Sequence, residues 1–333
     1  MFPMLKSMNR ALQRWNEFWF IPGDAATLGV IRILLGLCLL WHYACGFSAA
    51  DFIGPDAWVG LDPSHGTDVL EIAKADGRNA PSLWIWVTSE TGVQWTYSFF
   101  LAAIVFLTIG FVSRVACVTV LLGHLSFAHR CPQVVYGIDY VLSSLLLYLI
   151  IAPAGAEFSV DRWISRHVRK QKTVWEGRQL SWNATFSMRL IQIHMCIIYF
   201  CSGMAKLQGA SWWDGTAIWY AIALPEMWTF DLNALLVRHP FVVEIISLIG
   251  TVATLAFEIS FAFLIWKPAV RPLILCSAVV LHAGIGVLMG LSGFSAVMLT
   301  GCVAFVRPES IRFLGQRIFT NFHAGELPAP DRV

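Results

Sequence analysis

The sequence is poor in charged residues. Lys, Arg, Asp and Glu make up only 13% of its 333 residues, whereas hydrophobic residues make up 57%. An ordinary soluble domain carries roughly 25% charged residues, so this chain has too few to cover a surface that faces water. The sequence therefore predicts an all-α protein in a lipid bilayer, a polytopic bundle of transmembrane helices.

The familiar catalytic fingerprints are also missing. The chain has no H-E-x-x-H motif, Walker loop, G-x-S-x-G motif or dinucleotide fingerprint, so metalloprotease, ATPase and serine-hydrolase functions have no support. The eight cysteines lie mostly inside apolar runs and form no C-x-x-C pair, so neither a disulfide framework nor a metal site is predicted. A net charge of +2 gives no indication of nucleic-acid binding.

The chain shows no pattern of a cleavable signal peptide. The first 24 residues hold three basic side chains but no apolar core before Pro22, so we expect the first long apolar run to act as its own insertion signal. We divide the chain into a cytoplasmic amphipathic segment over 1–24, a transmembrane domain over 25–306 and a cytoplasmic tail over 307–333.

Eight apolar runs are candidates for membrane crossing. A transmembrane helix needs about 20 mostly apolar residues, and the third and eighth runs are short. We divide the stretch 272–306 between Gly290 and Gly293, because one helix of that length is too long for a bilayer. The predicted crossings are 25–46, 91–112, 114–128, 134–155, 187–207, 241–266, 270–290 and 292–306.

The basic residues predict an orientation. With eight crossings, sixteen Lys and Arg residues fall in segments on the side of both termini and four fall in the opposite loops. Basic residues accumulate in cytoplasmic loops, so both termini are predicted to be cytoplasmic and the protein to lie in the inner (plasma) membrane. The opposite face is formed by 47–90, 129–133, 208–240 and 290–293.

The sixth run carries a polar stripe. At about 100° per residue, five polar side chains share one face of an otherwise apolar helix, which we expect to point into the bundle. The stripe serves either as hydrogen-bonding contact between helices or as the lining of a cavity for a polar ligand. Its members are Glu244, Ser247, Thr251, Thr254 and Glu258.

The fifth run has a similar stripe, formed by Gln192, Cys196, Tyr199, Gly203 and Lys206. A lysine at a helix end is often an anchor that reaches the membrane surface. On an inward face, however, a partly desolvated amine can act as a general base. Both readings of Lys206 stay open at this point.

Other titratable residues also lie in the apolar runs. Arg32 and Arg189 are near the cytoplasmic ends, where we expect them to reach the membrane surface. His282 is either a buried structural residue or part of a site. His124 and Asp139 lie at a depth similar to that of Lys206, so they either join a cluster with it or pair with each other.

The loop after Lys206 is rich in aromatic residues. It is either a belt at the membrane surface or a re-entrant segment near 215–224, whose rings stack on a flat, membrane-soluble ligand such as a quinone. The aromatic residues are Trp212, Trp213, Trp219, Tyr220 and Trp228.

Four stretches, in this order and spacing, carry a family resemblance. They are Pro22–Gly36 with Arg32; His129–Asp139 with the following Pro153–Asp161; Tyr199–Gly215 with Lys206 and Trp212-Trp-Asp-Gly; and His282–Ser295. Together they resemble the HTTM family, the membrane domain shared with vitamin K-dependent gamma-carboxylases. The resemblance covers about residues 15–306.

The resemblance implies a chemistry. In the carboxylases, a lysine in the place of Lys206 deprotonates reduced vitamin K, whose reaction with oxygen yields a base that removes a glutamate γ-proton before carbon dioxide adds. The implied cofactor is a reduced quinone such as vitamin K hydroquinone, and the implied partners are a lipid quinone or a membrane-associated protein substrate. Where the carboxylases have two adjacent lysines, this chain has Ala205 and Lys206. We expect no counterpart of their large outer domain after the last helix.

The leading hypothesis is a quinone-dependent, carboxylase-like lyase or oxidising enzyme with Lys206 as general base in an outward-opening cavity. The alternative is a non-catalytic membrane carrier, maturation or immunity partner that uses the same polar cavity, in which Glu244 and Glu258 matter as much as Lys206. The predicted catalytic residues are Lys206 and His282, and the predicted cavity residues are Tyr199, Gln192, Glu258, Glu244, Thr251, His124, Asp139, Trp212 and Trp213.

Overall fold

The computed structural model describes residues 2–45, 82–87, 89–130, 134–167, 180–223 and 233–315. Within them, each of the eight predicted apolar runs contains a helix. The second and third runs are separated at residues 110–112, directly before the predicted break at Ser113, and the break predicted between Gly290 and Gly293 lies at residues 289–291. The longer helices are α1 (Phe2–Phe20), α2 (Ala26–Leu40, continued by a π-helical turn Trp41–Cys45), α3 (Glu90–Ile109), α4 (Ser113–Arg130), α5 (Gly137–Ile151), α7 (Trp182–Lys206), α11 (Pro240–Leu264), α12 (Arg271–Leu288) and α13 (Ser292–Cys302).

Shorter elements connect these helices. Gly23–Asp24 (β1) and Leu180–Ser181 (β2) form an antiparallel pair in which Gly23 lies opposite Ser181. The remaining elements are α6 (Val160–His167), α8 (Ala210–Trp213), α9 (Ala217–Ile222), α10 (Asn233–Arg238), α14 (Pro308–Gly315) and the 3-10 turns Leu83–Trp86 and Val303–Phe305.

Among the helices of the described residues, five are long and apolar enough to cross a bilayer: α2 with its π-helical turn, α3, α7, α11 and α12. Ser292–Phe305 and α14 meet the same criterion only together, and they are bent by 109°. The 15-residue α5 is apolar but short, about 22 Å at 1.5 Å per residue. The chain is therefore a multi-pass membrane helix bundle, and the count of eight crossings with both termini cytoplasmic stays a prediction.

Small residues let the helices pack closely, both around α7 and between α2 and α3. Helix α7 contacts α1, α5, α11 and α13. A Cβ on Gly301 of α13 would lie 3.0 Å from Met195 Cε, and a Cβ on Gly36 of α2 would lie 2.9 Å from the Cα of Thr108 on α3. Both values are shorter than ordinary van der Waals contact, so these glycines set the spacing between the helices.

Arg32 was predicted to reach the membrane surface, and this prediction is wrong. Its side chain is fully buried, and its guanidinium donates to the carbonyl oxygens of Leu107 at 3.4 Å and Phe158 at 2.5 Å. Leu107 is in the last turn of α3 and Phe158 lies just before α6, so regular helical hydrogen bonding does not reach either carbonyl. A buried cation satisfies such carbonyls.

Candidate functional site

The centre of the candidate site is an ion pair between α7 and α11. The Lys206 ammonium lies 2.8 Å from each carboxylate oxygen of Glu258 and donates to Ser202 Oγ at 2.6 Å. The Glu258 side chain is 9% exposed and that of Lys206 is 25% exposed. Both stripes predicted to face inward therefore do so here, and they meet.

The carboxylate is unevenly satisfied. Oε1 of Glu258 accepts hydrogen bonds from Lys206 and, at 3.3 Å, from Ser202. Oε2 is buried and, within the described residues, accepts no hydrogen bond of good geometry, although the ammonium is close. An acceptor oxygen with lone pairs free of hydrogen bonds therefore remains inside the protein.

Gly203 positions this pair. A Cβ on Gly203 would lie 2.9 Å from Ile259 Cγ1 and 3.2 Å from Glu258 Cβ. The absence of a side chain therefore allows α7 and α11 to approach at the turn that carries Lys206.

We expect Gly203→Val to separate α7 from α11 and lower the free energy of unfolding by about 1–3 kcal/mol through overpacking. Gly284→Val is the matched control, because a Cβ there has no heavy atom within 4 Å. Thermal unfolding in detergent measures the difference. Equal unfolding temperatures for the two variants would show that the crossing tolerates a side chain.

Tyr199 and His282 form a second, deeper contact. The Tyr199 hydroxyl is hydrogen-bonded to His282 Nε2 at 2.7 Å and lies 3.5 Å from Cys302 Sγ. Tyr199 and His282 are each 2% exposed. His282 Nδ1 is buried without a hydrogen-bond partner among the described residues. The structure thus joins His282 to Tyr199 and not to Lys206. The Tyr199 ring packs on Phe257, the residue directly before Glu258.

The hydroxyls of the α11 stripe contact backbone rather than an open cavity. Ser247 and Thr251 donate to the Gly215 carbonyl at 2.9 and 3.2 Å. Thr251 also accepts from the Ile218 amide at 3.3 Å, and Ser247 accepts from the Trp219 amide at 3.3 Å. The polar stripe therefore satisfies the irregular turn between α8 and α9, which the sequence pattern alone did not indicate.

Two predicted tryptophans flank the pair. The ring centroid of Trp212 lies 5.5 Å from Lys206 Nζ, within cation–π range. Trp213 is exposed and donates its indole N–H to the Leu207 carbonyl at 2.8 Å. Trp228 lies outside the described residues.

Glu244 is exposed, so its predicted place in the inward stripe is wrong. The cause is an offset between helices: α7 ends at Lys206, which meets Glu258, whereas α11 begins at Pro240. Glu244 lies fourteen residues before Glu258, about 21 Å along α11, and is therefore beyond the end of α7.

Gln192 lies in a different region. Its amide donates to the Ala304 carbonyl at 2.7 Å, and its oxygen accepts from Arg189 at 2.9 Å. It is fourteen residues before Lys206 on α7, about 21 Å along the helix axis. The structure does not bring Gln192 to the ion pair.

His124 and Asp139 belong to another cluster and are in contact with each other. His124 Nε2 donates to the Asp139 carbonyl at 3.1 Å, and its Nδ1 accepts from the Tyr43 hydroxyl at 2.6 Å. The Asp139 carboxylate accepts from the Tyr136 amide at 2.9 Å at the start of α5 and lies 3.9 Å from His42. Of the two predicted arrangements, the structure has the pairing and not the cluster with Lys206.

Ser202 and Cys302 were not among the residues predicted from the sequence. Ser202 lies four residues before Lys206, so its place on the same helical face follows from the period of the helix. Cys302 is on α13, and only the tertiary packing brings it to Tyr199.

Comparison with known proteins agrees with this architecture. The model of the HTTM domain family matches residues 81–309. Uncharacterized protein YitO of Bacillus subtilis (strain 168) is 26% identical over 214 residues, which cover 62% of this chain and 65% of that protein. No solved structure matches. Since the family model covers more than half of its length, this multi-pass membrane chain belongs to the HTTM family.

Proposed function

We propose that this HTTM protein is a membrane enzyme in which the Lys206–Glu258 pair accepts a proton from a hydroxyl group of an apolar substrate. The observation that carries the proposal is the buried Oε2 of Glu258, which accepts no hydrogen bond of good geometry from the described residues although the Lys206 ammonium lies 2.8 Å away. A substrate hydroxyl would donate to this oxygen.

The charges of the pair suit such a step. Ammonium and carboxylate together are neutral, so the pair can exist in an apolar bundle and still take up one proton on Glu258. The substrate anion left behind would face the Lys206 ammonium, which stabilises it where water is scarce. In this proposal Glu258 therefore takes the proton, and Lys206, the base expected from the family resemblance, stays charged and holds the anion.

The surroundings fit a flat apolar molecule such as a reduced quinone. Trp212 lies over the ammonium, and the turn at Gly215 is covered by α11 hydroxyls. Irregular backbone at membrane depth needs such protein partners, which supports a re-entrant α8–α9 segment. A bound reduced quinone would supply an acidic hydroxyl and two electrons, and the residues described here would hold the proton.

The proposal includes a topology. Eight crossings, with both termini cytoplasmic in the inner membrane, agree with the sixteen-to-four distribution of basic residues and with a helix in each apolar run. The segment 1–24 and the tail 307–333 would then flank a transmembrane domain over 25–306.

Isolated membranes test the activity. Given a reduced quinone, oxygen and labelled bicarbonate, we expect quinol oxidation that Lys206→Met and Glu258→Gln each reduce by about 10²–10⁴-fold, the usual contribution of a positioned acid–base group. Lys267→Met is the control, because Lys267 is exposed in the turn after α11. Incorporated label would assign a carboxylase-like lyase. Oxidation that is absent, or that is the same in wild type and both variants, would reject the enzyme.

The competing proposal is a non-catalytic carrier, maturation or immunity partner. It is favoured by the fact that Lys206 already has Ser202 and Glu258 as partners, as a structural contact between helices would. In that case Lys206→Met would alter stability or partner binding while quinol oxidation stayed at the level of empty membranes.

A further inference from the structure

We propose that a cleft formed by β1, the start of α2, α7, the start of α12 and the start of α14 binds the phosphate group of an anionic phospholipid. This site is remote from Lys206 and independent of the chemistry proposed there. The cleft has a volume of about 220 Å³, enough for a phosphate group. Its polar lining includes Thr27, Thr185, Arg189, Gln192, Arg271 and Arg307.

Carbonyl and amide oxygens orient two of the arginines. Arg189 donates from Nε to the Phe18 carbonyl at 3.2 Å and from a terminal nitrogen to Gln192 at 2.9 Å. Arg271 donates to the carbonyls of Ile265 at 3.0 Å and Trp266 at 3.4 Å. Neutral oxygens fix these side chains in place but leave their positive charges uncompensated.

No carboxylate of the described part of the chain forms an ion pair with Arg189, Arg271 or Arg307. Asp24 also lines the cleft, but Arg312 engages both of its oxygens, at 2.9 and 2.8 Å. The charges of Arg189 and Arg271 repel each other. Such an arrangement is favourable once an anion lies between the guanidiniums.

A helix terminus adds to the positive potential. Arg307 and Pro308 line the cleft where α14 begins, and the amides of the first turn of a helix favour a negative charge. Thr27 and Thr185 provide hydroxyl donors beside it. The donors therefore match a phosphate group better than a planar carboxylate alone.

The surroundings favour a lipid as the source of that phosphate. Ile21 lines the cleft, and Leu12, Trp15, Phe20 and Ile21 expose large apolar side chains on or beside α1. A helix with an exposed apolar face is stable at the membrane surface, because acyl chains cover its apolar side chains there. The three arginines are on the side predicted to be cytoplasmic, where basic pockets between helices bind anionic headgroups.

The purified protein in neutral detergent tests this site with three probes: phosphatidylglycerol, phosphatidylcholine and inorganic phosphate. Native mass spectrometry would measure lipid retention, and thermal unfolding would measure stabilisation. We expect phosphatidylglycerol to bind at least 10-fold more tightly than phosphatidylcholine. We expect the Arg271→Gln/Arg307→Gln double variant to bind phosphatidylglycerol about 25-fold more weakly, because each basic residue near an anionic lipid contributes about fivefold.

Two variants keep the test decisive. Arg307→Gln alone changes an exposed side chain, so we expect about fivefold weaker binding with an unchanged unfolding temperature in the absence of lipid. Arg114→Gln, an exposed arginine away from the cleft, should bind as the wild type does. Three results would each overturn the lipid assignment. The first is equal binding of both lipids, and the second is unchanged affinity in the cleft variants. The third is arginine-dependent stabilisation by inorganic phosphate that equals the stabilisation by phosphatidylglycerol.

Discussion

Gly110→Ala is expected to lower the free energy of unfolding by roughly 3–5 kcal/mol, a large part of the 5–15 kcal/mol that holds a folded domain together. Gly110 ends α3 with φ at 73°, a left-handed conformation that costs an L-residue about 1–2 kcal/mol. A methyl group there would also overlap the guanidinium of Arg32. The larger part of the effect comes from this overlap.

Displacing Arg32 breaks more than one contact. The Leu107 and Phe158 carbonyls lose a charged donor, and each hydrogen bond to a charged group contributes about 1.5–3 kcal/mol. The same turn is held by Asp161, whose amide donates to the Gly110 carbonyl at 3.0 Å and whose carboxylate accepts from the Val112 amide at 2.7 Å. A shift at Gly110 therefore loosens the contact between the end of α3 and the start of α6.

Denaturation in mixed micelles, followed by tryptophan fluorescence, would measure this loss. Gly290→Ala is the matched control, because Gly290 has a similar φ of 69° and is exposed. Both variants carry this conformational cost, and the overlap with Arg32 arises at Gly110, so the difference between the variants measures the contribution of Arg32. Losses that agree within 1 kcal/mol would mean that Arg32 adjusts to the methyl group at little cost.

The positions of the helices follow directly from the sequence, because bilayer thickness fixes the length of an apolar run. The break at Gly290 to Gly293 was predictable for the same reason, since 272–306 is too long for one crossing. Breaks that depend on packing were not. The sequence does not show that the turn at Gly215 lies along α11. The stripe with Ser247 and Thr251 was therefore left open between contact with a neighbouring helix and the lining of a cavity, with Thr251 among the predicted cavity residues, and its contact with that turn was not predicted.

The main errors concerned how deeply a side chain is buried and how far one helix is offset along its neighbour. Arg32 was expected at the surface because a single sequence does not show which carbonyls will surround a cation. Glu244 was placed inside because periodicity gives the face of a helix but not how far its neighbour extends. The stripes of Lys206 and Glu258 were both predicted correctly to face inward, yet their pairing depends on the offset between α7 and α11, which neither segment encodes alone.

The second large effect is expected at this pair. Lys206→Met leaves the Glu258 carboxylate without its counter-charge in an apolar bundle, and removal of one member of a buried pair costs about 3–5 kcal/mol. Since a quarter of the lysine side chain is exposed, we expect the lower end, about 3 kcal/mol. Glu258→Gln keeps the shape of the side chain and leaves the ammonium unpaired, so it should cost a similar amount.

The double variant Lys206→Met/Glu258→Gln has no unpaired charge, so its free energy of unfolding should lie closer to that of the wild type than the sum of the single losses predicts. We expect a coupling energy of about 2–3 kcal/mol, within the range for residues in direct contact. A parallel cycle with Glu244→Gln is the control: Glu244 is exposed and lies about 21 Å from Glu258 along α11, so its effect should add to that of Lys206→Met. Additive losses at Glu258, or equal coupling at Glu244, would show that the ammonium is not held by one carboxylate, and would remove the basis for a base built from the pair.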